Sequence, residues 1–131
     1  MPTRYPALMR RLAAALLLTA APGAVAAPLP NYAGTWTFVA RASDGTTLKQ
    51  VVRVTQTVRQ GRIYLSGYHI YGPLQDGTGG FSTTRLDSDA KRTYSGNLHF
   101  SGGSASGSGI TREAYKNGQV VVTSYRITGR R

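Results

Sequence analysis

Residues 47–57 read TLKQVVRVTQT, and their character alternates residue by residue. Leu48, Val52 and Val54 fall on one face of an extended chain, while Lys49, Arg53 and Thr55 fall on the other. A period of two belongs to a strand with one face buried and one in water. The same pattern continues in both directions. Upstream, Gly34–Arg41 places Trp36, Phe38 and Ala40 on one side, and Ser43-Asp44-Gly45 turns the chain. Downstream, Gln60-Gly61 turns it into Arg62–Tyr71, and further strands are expected at Phe81–Leu86, Arg92–Phe100, Ser104–Tyr115 and Gln119–Thr128. Asp87-Ser88-Asp89 parts the middle pair. Asn117-Gly118 parts the last pair and predicts a type I′ turn, in which both central residues need positive φ. Gly72–Gly80, carrying Pro73, is expected to be the longest irregular piece. The chain is therefore expected to be all-β: a small antiparallel up-and-down meander barrel of about seven or eight strands.

Ser101–Gly109 alternates serine, glycine and alanine. As low complexity it reads as a flexible linker; as a strand it has no side-chain bulk and lets another backbone come close. Both readings stay open from sequence.

The N-terminus has a basic head (Arg4, Arg10, Arg11), an apolar run from Leu12 to Ala21 and the small residues Ala24-Val25-Ala26. This is the layout of a secretory leader, with a run too short to span a bilayer. Pro28 disfavours a later cut, so cleavage is expected between Ala26 and Ala27, giving a secreted or periplasmic protein. The expected division is leader 1–26, an extended N-terminal arm 27–33 stiffened by Pro28 and Pro30, and a single barrel domain 34–131. There is no cysteine. That excludes disulfides, thiolate metal sites, a cysteine nucleophile and a lipid anchor at the cleavage point.

The chain has 16 basic and five acidic residues; three of the basic ones lie in the leader, which leaves 13 against five, a net +8. Such a balance draws a protein to anionic surfaces. Lys49 and Arg53 share one strand face, and Arg62, Arg85, Arg112 and Arg126 complete the expected anion-binding set. Its partner would be an anionic envelope polymer or lipid surface. Intracellular nucleic acid is not an expected partner for an exported chain.

Enzyme chemistry has little to stand on. Asp44, Asp76, Asp87 and Asp89 all fall in expected turns, where short carboxylates bond backbone N–H groups. Glu113 stands alone. His69 and His99 lack ligand spacing, and Asp87-x-Asp89 is half of a calcium loop without its glycine and distant glutamate. No catalytic residue, metal ligand or cofactor is expected. Val120-Val121-Val122 presents bulk to both faces of the last strand, which suggests a possible dimer seam, so monomer and dimer both stay open.

Gly34-Thr35-Trp36, opening the first strand of a β-rich exported chain, resembles the Gly-x-Trp start of the lipocalins and of the avidin-like barrels. The resemblance implies that Trp36 closes one end of the barrel. In lipocalins a basic residue of the last strand lies across that ring, a place Arg126 or Arg130 would take here. It also implies a non-enzymatic module holding a small amphipathic ligand in the lumen, lined or filled by Trp36, Phe38, Leu48, Val52, Val54 and Tyr125. Avidin-like pockets use several tryptophans for biotin, and this chain has one. The chain also resembles the small periplasmic inhibitors of secreted metalloproteases, which implies an alternative: a protein partner, an exported hydrolase, engaged by the N-terminal arm.

Overall fold

The alternation becomes eight antiparallel strands in the computed structural model, which describes residues 28–131. They are β1 (Gly34–Ala42), β2 (Thr47–Arg59), β3 (Arg62–Ser66), β4 (Ile70–Gln75), β5 (Thr78–Leu86), β6 (Ala90–Ser101), β7 (Ser104–Tyr115) and β8 (Val120–Arg130). Each pairs with the next, and β8 returns to β1 with Ala40 opposite Ile127, closing an up-and-down barrel. The leader and its expected cut lie outside the described residues.

Side chains that alternate inward make the core. Trp36, Phe38, Val54, Phe81, Leu98, Phe100 and Ile127 are almost completely removed from water. The rings pack closely in several geometries: Phe100 stands edge-on to Trp36 at 5.3 Å and 86°, and Tyr68 lies tilted at 43° with its centroid 4.3 Å from that of Phe38. Such pairs stabilise by about 0.5–1.5 kcal/mol beyond the area they bury. Outward positions are mainly Arg, Lys, Ser and Thr, with Val51, Leu86, Ile110, Val120 and Val122 exposed among them. Among the described residues, no helix is long and apolar enough to cross a membrane.

One end of the barrel is sealed. Trp36 Nε1 donates to the Tyr32 carbonyl at 2.7 Å, and Tyr32 is itself buried. The Gln56 side chain accepts from Tyr32 N–H and donates to the Pro30 carbonyl, both at 2.9 Å. Arg131 donates to the Asn31 carbonyl at 2.6 Å and sits 5.7 Å over the Trp36 ring. The guanidinium across the indole is thus Arg131, not Arg126 or Arg130. Those two alternate outward on β8, with Ile127 and Gly129 between them facing in.

Three local expectations are corrected. Residues 62–71 are not one strand, because Gly67, Tyr68 and His69 all take positive φ and turn the chain between β3 and β4. Gly72–Gly80 is mostly strand, since Asp76 (φ 49°) and Gly77 (φ 80°) form the two-residue hairpin turn between Gln75 and Thr78. At Asn117-Gly118 only the glycine has positive φ. Gly118 N–H bonds the Tyr115 carbonyl and Tyr115 N–H bonds that of Gln119, a type I turn followed by a glycine bulge.

Within Ser101–Gly109, Ser101 ends β6, Gly102-Gly103 make the turn and Ser104–Gly109 open β7, and the register of the two strands runs unbroken from Ala90↔Tyr115 to Ser101↔Ser104. The segment's lack of bulk has a cause. A Cβ on Gly107 would overlap the Asn97 carbonyl oxygen, and one on Gly96 would overlap that of Ser108. The two backbones approach too closely for any side chain there.

Candidate functional site

The end opposite Trp36 is open because two strands are short. β3 has five residues and β4 six, against 13 in β2 and nine in β5. β2 meets β3 only from Thr55 onward, and β4 meets β5 no higher than Ile70↔Phe81. Above that level the upper parts of β2 and β5 stand without a strand between them. Leu48 and Gln50, on the lumenal side of β2, are consequently exposed.

The same turn that shortens β3 and β4 supplies the floor of the opening. Positive φ at Tyr68 swings its ring into the lumen, where it packs on Phe38, on Phe81 at 5.2 Å and on Tyr94 at 6.3 Å. The hydroxyls of Tyr68 and Tyr94 are 2.9 Å apart and hydrogen-bonded. Burial holds both phenols above their usual pKa, so they are neutral hydrogen-bonding groups at physiological pH. Above them is a cup of about 260 Å³. Phe38, Ala40 and Leu48 give it an apolar wall; Gln50, Thr83 and Thr111 give polar atoms within that wall, and Arg85 and Arg92 complete the lining.

The rim carries most of the protein's negative charge. Arg92 binds Asp87 at 2.7 Å, Asp89 at 3.1 Å and Glu113 at 2.8 Å, and Arg85 binds the same Asp87 oxygen at 3.0 Å. Glu113 also accepts from the Tyr115 hydroxyl at 3.0 Å. Arg92 holds all three carboxyls below their ordinary pKa, and they in turn, Asp89 first, raise its own. The cluster fixes the strand ends that frame the cup and leaves Arg85, exposed and bound through one nitrogen, in the cup's lining.

The expected interior set divides between the two halves of the barrel. Trp36 and Val54 are fully buried in the sealed half, and Val52 packs against that core. Phe38 and Leu48 line the cup. Tyr125 is half-buried and edge-on to Tyr94 at 6.3 Å, but is not part of the cup's lining. Tyr68, Tyr94, Thr83 and Thr111 belong to the cup and were not among the residues expected from sequence.

Comparison with known proteins finds no family model, no curated protein and no solved structure that matches this chain.

The expected anion-binding set also divides. Lys49, Arg53 and Arg126 point outward on neighbouring strands of the β2–β1–β8 wall. Arg85 is on the lumenal side with Asp87, a correction to its expected place outside. Arg62 stands opposite Arg59 across the β2–β3 turn, and Arg112 opposite Val122 on β7 and β8. Val120-Val121-Val122 is paired to β7 on one side, while β1 ends opposite Tyr125 and leaves the other side of Val120–Ser124 open. Of the N-terminal arm, Pro30, Asn31, Tyr32 and Ala33 are tied by hydrogen bonds to Gln56, Trp36 or Arg131. Among the described residues, no cluster of three His, Asp or Glu side chains is placed to hold a metal ion.

Proposed function

We propose that this protein is an exported, non-enzymatic binding module that holds a small amphipathic molecule in the open half of its barrel. The observation that carries this reading is the division of the lumen. In the sealed half Trp36, Val54, Leu98 and Phe100 are fully buried, and the open half is a cup of about 260 Å³ with an aromatic floor and polar groups in its wall. Apolar surface with a few placed polar atoms is the usual make-up of a small-molecule site. The volume lies just below the common range of about 300–1,000 Å³, so the occupant is small, or only one end of it enters. Its apolar part rests on Phe38, Ala40, Tyr68 and Tyr94. Its polar part meets Gln50, Thr83 and Thr111, with Arg85 favouring a partial negative charge. The resemblance of Gly34-Thr35-Trp36 to the lipocalin start, together with the Arg131 guanidinium across the indole, supports the same reading, and the secretory leader supports export.

Titration with 1-anilinonaphthalene-8-sulfonate, an apolar fluorophore with one anionic group, tests this. Thr111→Phe puts a ring into the cup from β7 and is expected to weaken binding at least tenfold while the protein still folds. Equal affinity in Thr111→Phe and the parent would place the probe elsewhere and end the proposal.

A further inference from the structure

The barrel wall opposite β4–β6 carries a charge arrangement that the cup does not use. On β2, Lys49 and Arg53 point outward four residues apart; on β8, Arg126 and Arg130 do the same; on β1 between them stands Arg41. All five are exposed. None makes an ion pair among the described residues, whereas the carboxylates of Asp87, Asp89 and Glu113 are all engaged at the rim. Asp44, in the turn beyond Arg41, is directed to the Thr46 N–H at 2.8 Å.

Strand geometry sets the dimensions. Four residues along a strand span about 13 Å, and two strand spacings amount to about 10 Å. Two columns of positive charge therefore flank β1. Between them lie the outward residues Thr37 and Val39, both half-buried, while Val51, between Lys49 and Arg53 on β2, is exposed. Arg41 stands directly opposite Arg126. Like charges so placed repel each other, and elsewhere the molecule shows how such a pair is relieved. Arg85 stands opposite Arg92, and one Asp87 oxygen bridges both guanidiniums. Arg41 and Arg126 have the same register without a carboxylate.

We infer that the β2–β1–β8 wall binds a linear polyanion bearing repeated tetrahedral oxyanions, phosphate or sulfate, laid along β1 with one anion shared by Arg41 and Arg126. Guanidiniums with flanking Ser and Thr hydroxyls suit such groups. The outward residues of these strands include no aromatic ring on which a base would stack, so single-stranded nucleic acid is disfavoured. Their outward apolar side chains, Val39 and Val51 among the charges and Val120 and Val122 at the far end of β8, form no continuous band to enter a bilayer, so a lipid surface is disfavoured as well.

The test uses the full mature protein, long-chain polyphosphate, a heparin fragment and vesicles rich in anionic phospholipid, each at low and high salt. Polyphosphate, heparin or both should bind, with an affinity that falls linearly on a log–log salt plot because bound counterions are released. Which polymer binds tells phosphate from sulfate. Arg41→Gln/Arg126→Gln is expected to lose at least tenfold in affinity and to flatten the salt slope. Arg62→Gln/Arg112→Gln, with the same loss of charge off this wall, should lose less than threefold. Equal losses in the two double variants would overturn the assignment, because net charge alone would then explain binding. Vesicle binding that neither polymer displaces would also overturn it. Loss of 1-anilinonaphthalene-8-sulfonate binding leaves this result untouched, so the two proposals stand or fall separately.

Discussion

Tyr68 joins the fold to the cup, and truncating it makes quantitative demands of both. Its side chain is 7% exposed and contacts Phe38, Phe81 and Tyr94. Removing a buried ring ordinarily costs about 3–5 kcal/mol. The space left by Tyr68→Ala opens into the cup and admits water, which places this variant near the lower limit, about 3 kcal/mol. For a domain of this size each kcal/mol moves Tm by roughly 4 °C, so a fall of about 12 °C is expected. Tyr68→Phe keeps the ring and removes only the hydroxyl paired with Tyr94. Its cost should be about 0.5–1.5 kcal/mol, because Tyr94 lines the cup and can turn to water. Ligand preference should move the other way: Tyr68→Ala deepens the cup and should bind a bulkier apolar probe better than the parent does. Thermal melts followed by circular dichroism and parallel probe titrations read both effects. A Tyr68→Ala melt within about 2 °C of the parent, with unchanged probe preference, would refute the claim that this turn residue supports the core and floors the site.

Two further outcomes follow from the geometry. Gly107→Ala forces a methyl group onto the Asn97 carbonyl and should lose about 1–3 kcal/mol or more by chemical denaturation, while Gly103→Ala, with nothing within 4 Å of the new methyl, should stay within about 0.5 kcal/mol; similar midpoints for both would show that β6 and β7 have more slack than their backbones allow. The carboxyls of Asp87, Asp89 and Glu113 have folded pKa values held below their unfolded ones by Arg92, so their stabilisation is present above about pH 4 and fades as pH falls through the folded values. Arg92→Gln should therefore melt lower at neutral pH and lose less than the parent on acidification, and parallel pH curves for the two proteins would contradict that account.

The alternation around Val52 and Trp36 was sufficient for fold class and for which side chains face in, because a barrel with one apolar side repeats one simple rule. Other features lay beyond that rule for identifiable reasons. The β3–β4 turn uses Tyr68 and His69 in left-handed conformations that such residues seldom adopt, so Ser66-Gly67 was the only sequence mark of it. Pro73 is accommodated within β4, opposite Tyr64 where β3 and β4 barely pair, and there it imitated a loop. Once that turn was missed, the floor of the cup was out of reach, since Tyr68 enters the lumen by turn geometry rather than strand parity. Arg85 was legible in principle. It lies four residues from Phe81 on the same strand face, and parity places both inward. The close approach at Gly96 and Gly107 showed in sequence only as missing bulk, which a linker would share.

The bond from Arg131 to the Asn31 carbonyl places the two ends of the described chain side by side at the sealed pole. A short linker there would join them without disturbing any strand register, and new ends opened at Asp44 or Asn117 would give a circular permutant with the same wall. Attachment beside Asn31 or Arg131 also holds the barrel by its stopper, so the cup faces away from the support and the two charged columns rise from it at the tilt of their strands. A surface-coupled sensor made from this protein would have its binding features oriented by the chain's own topology.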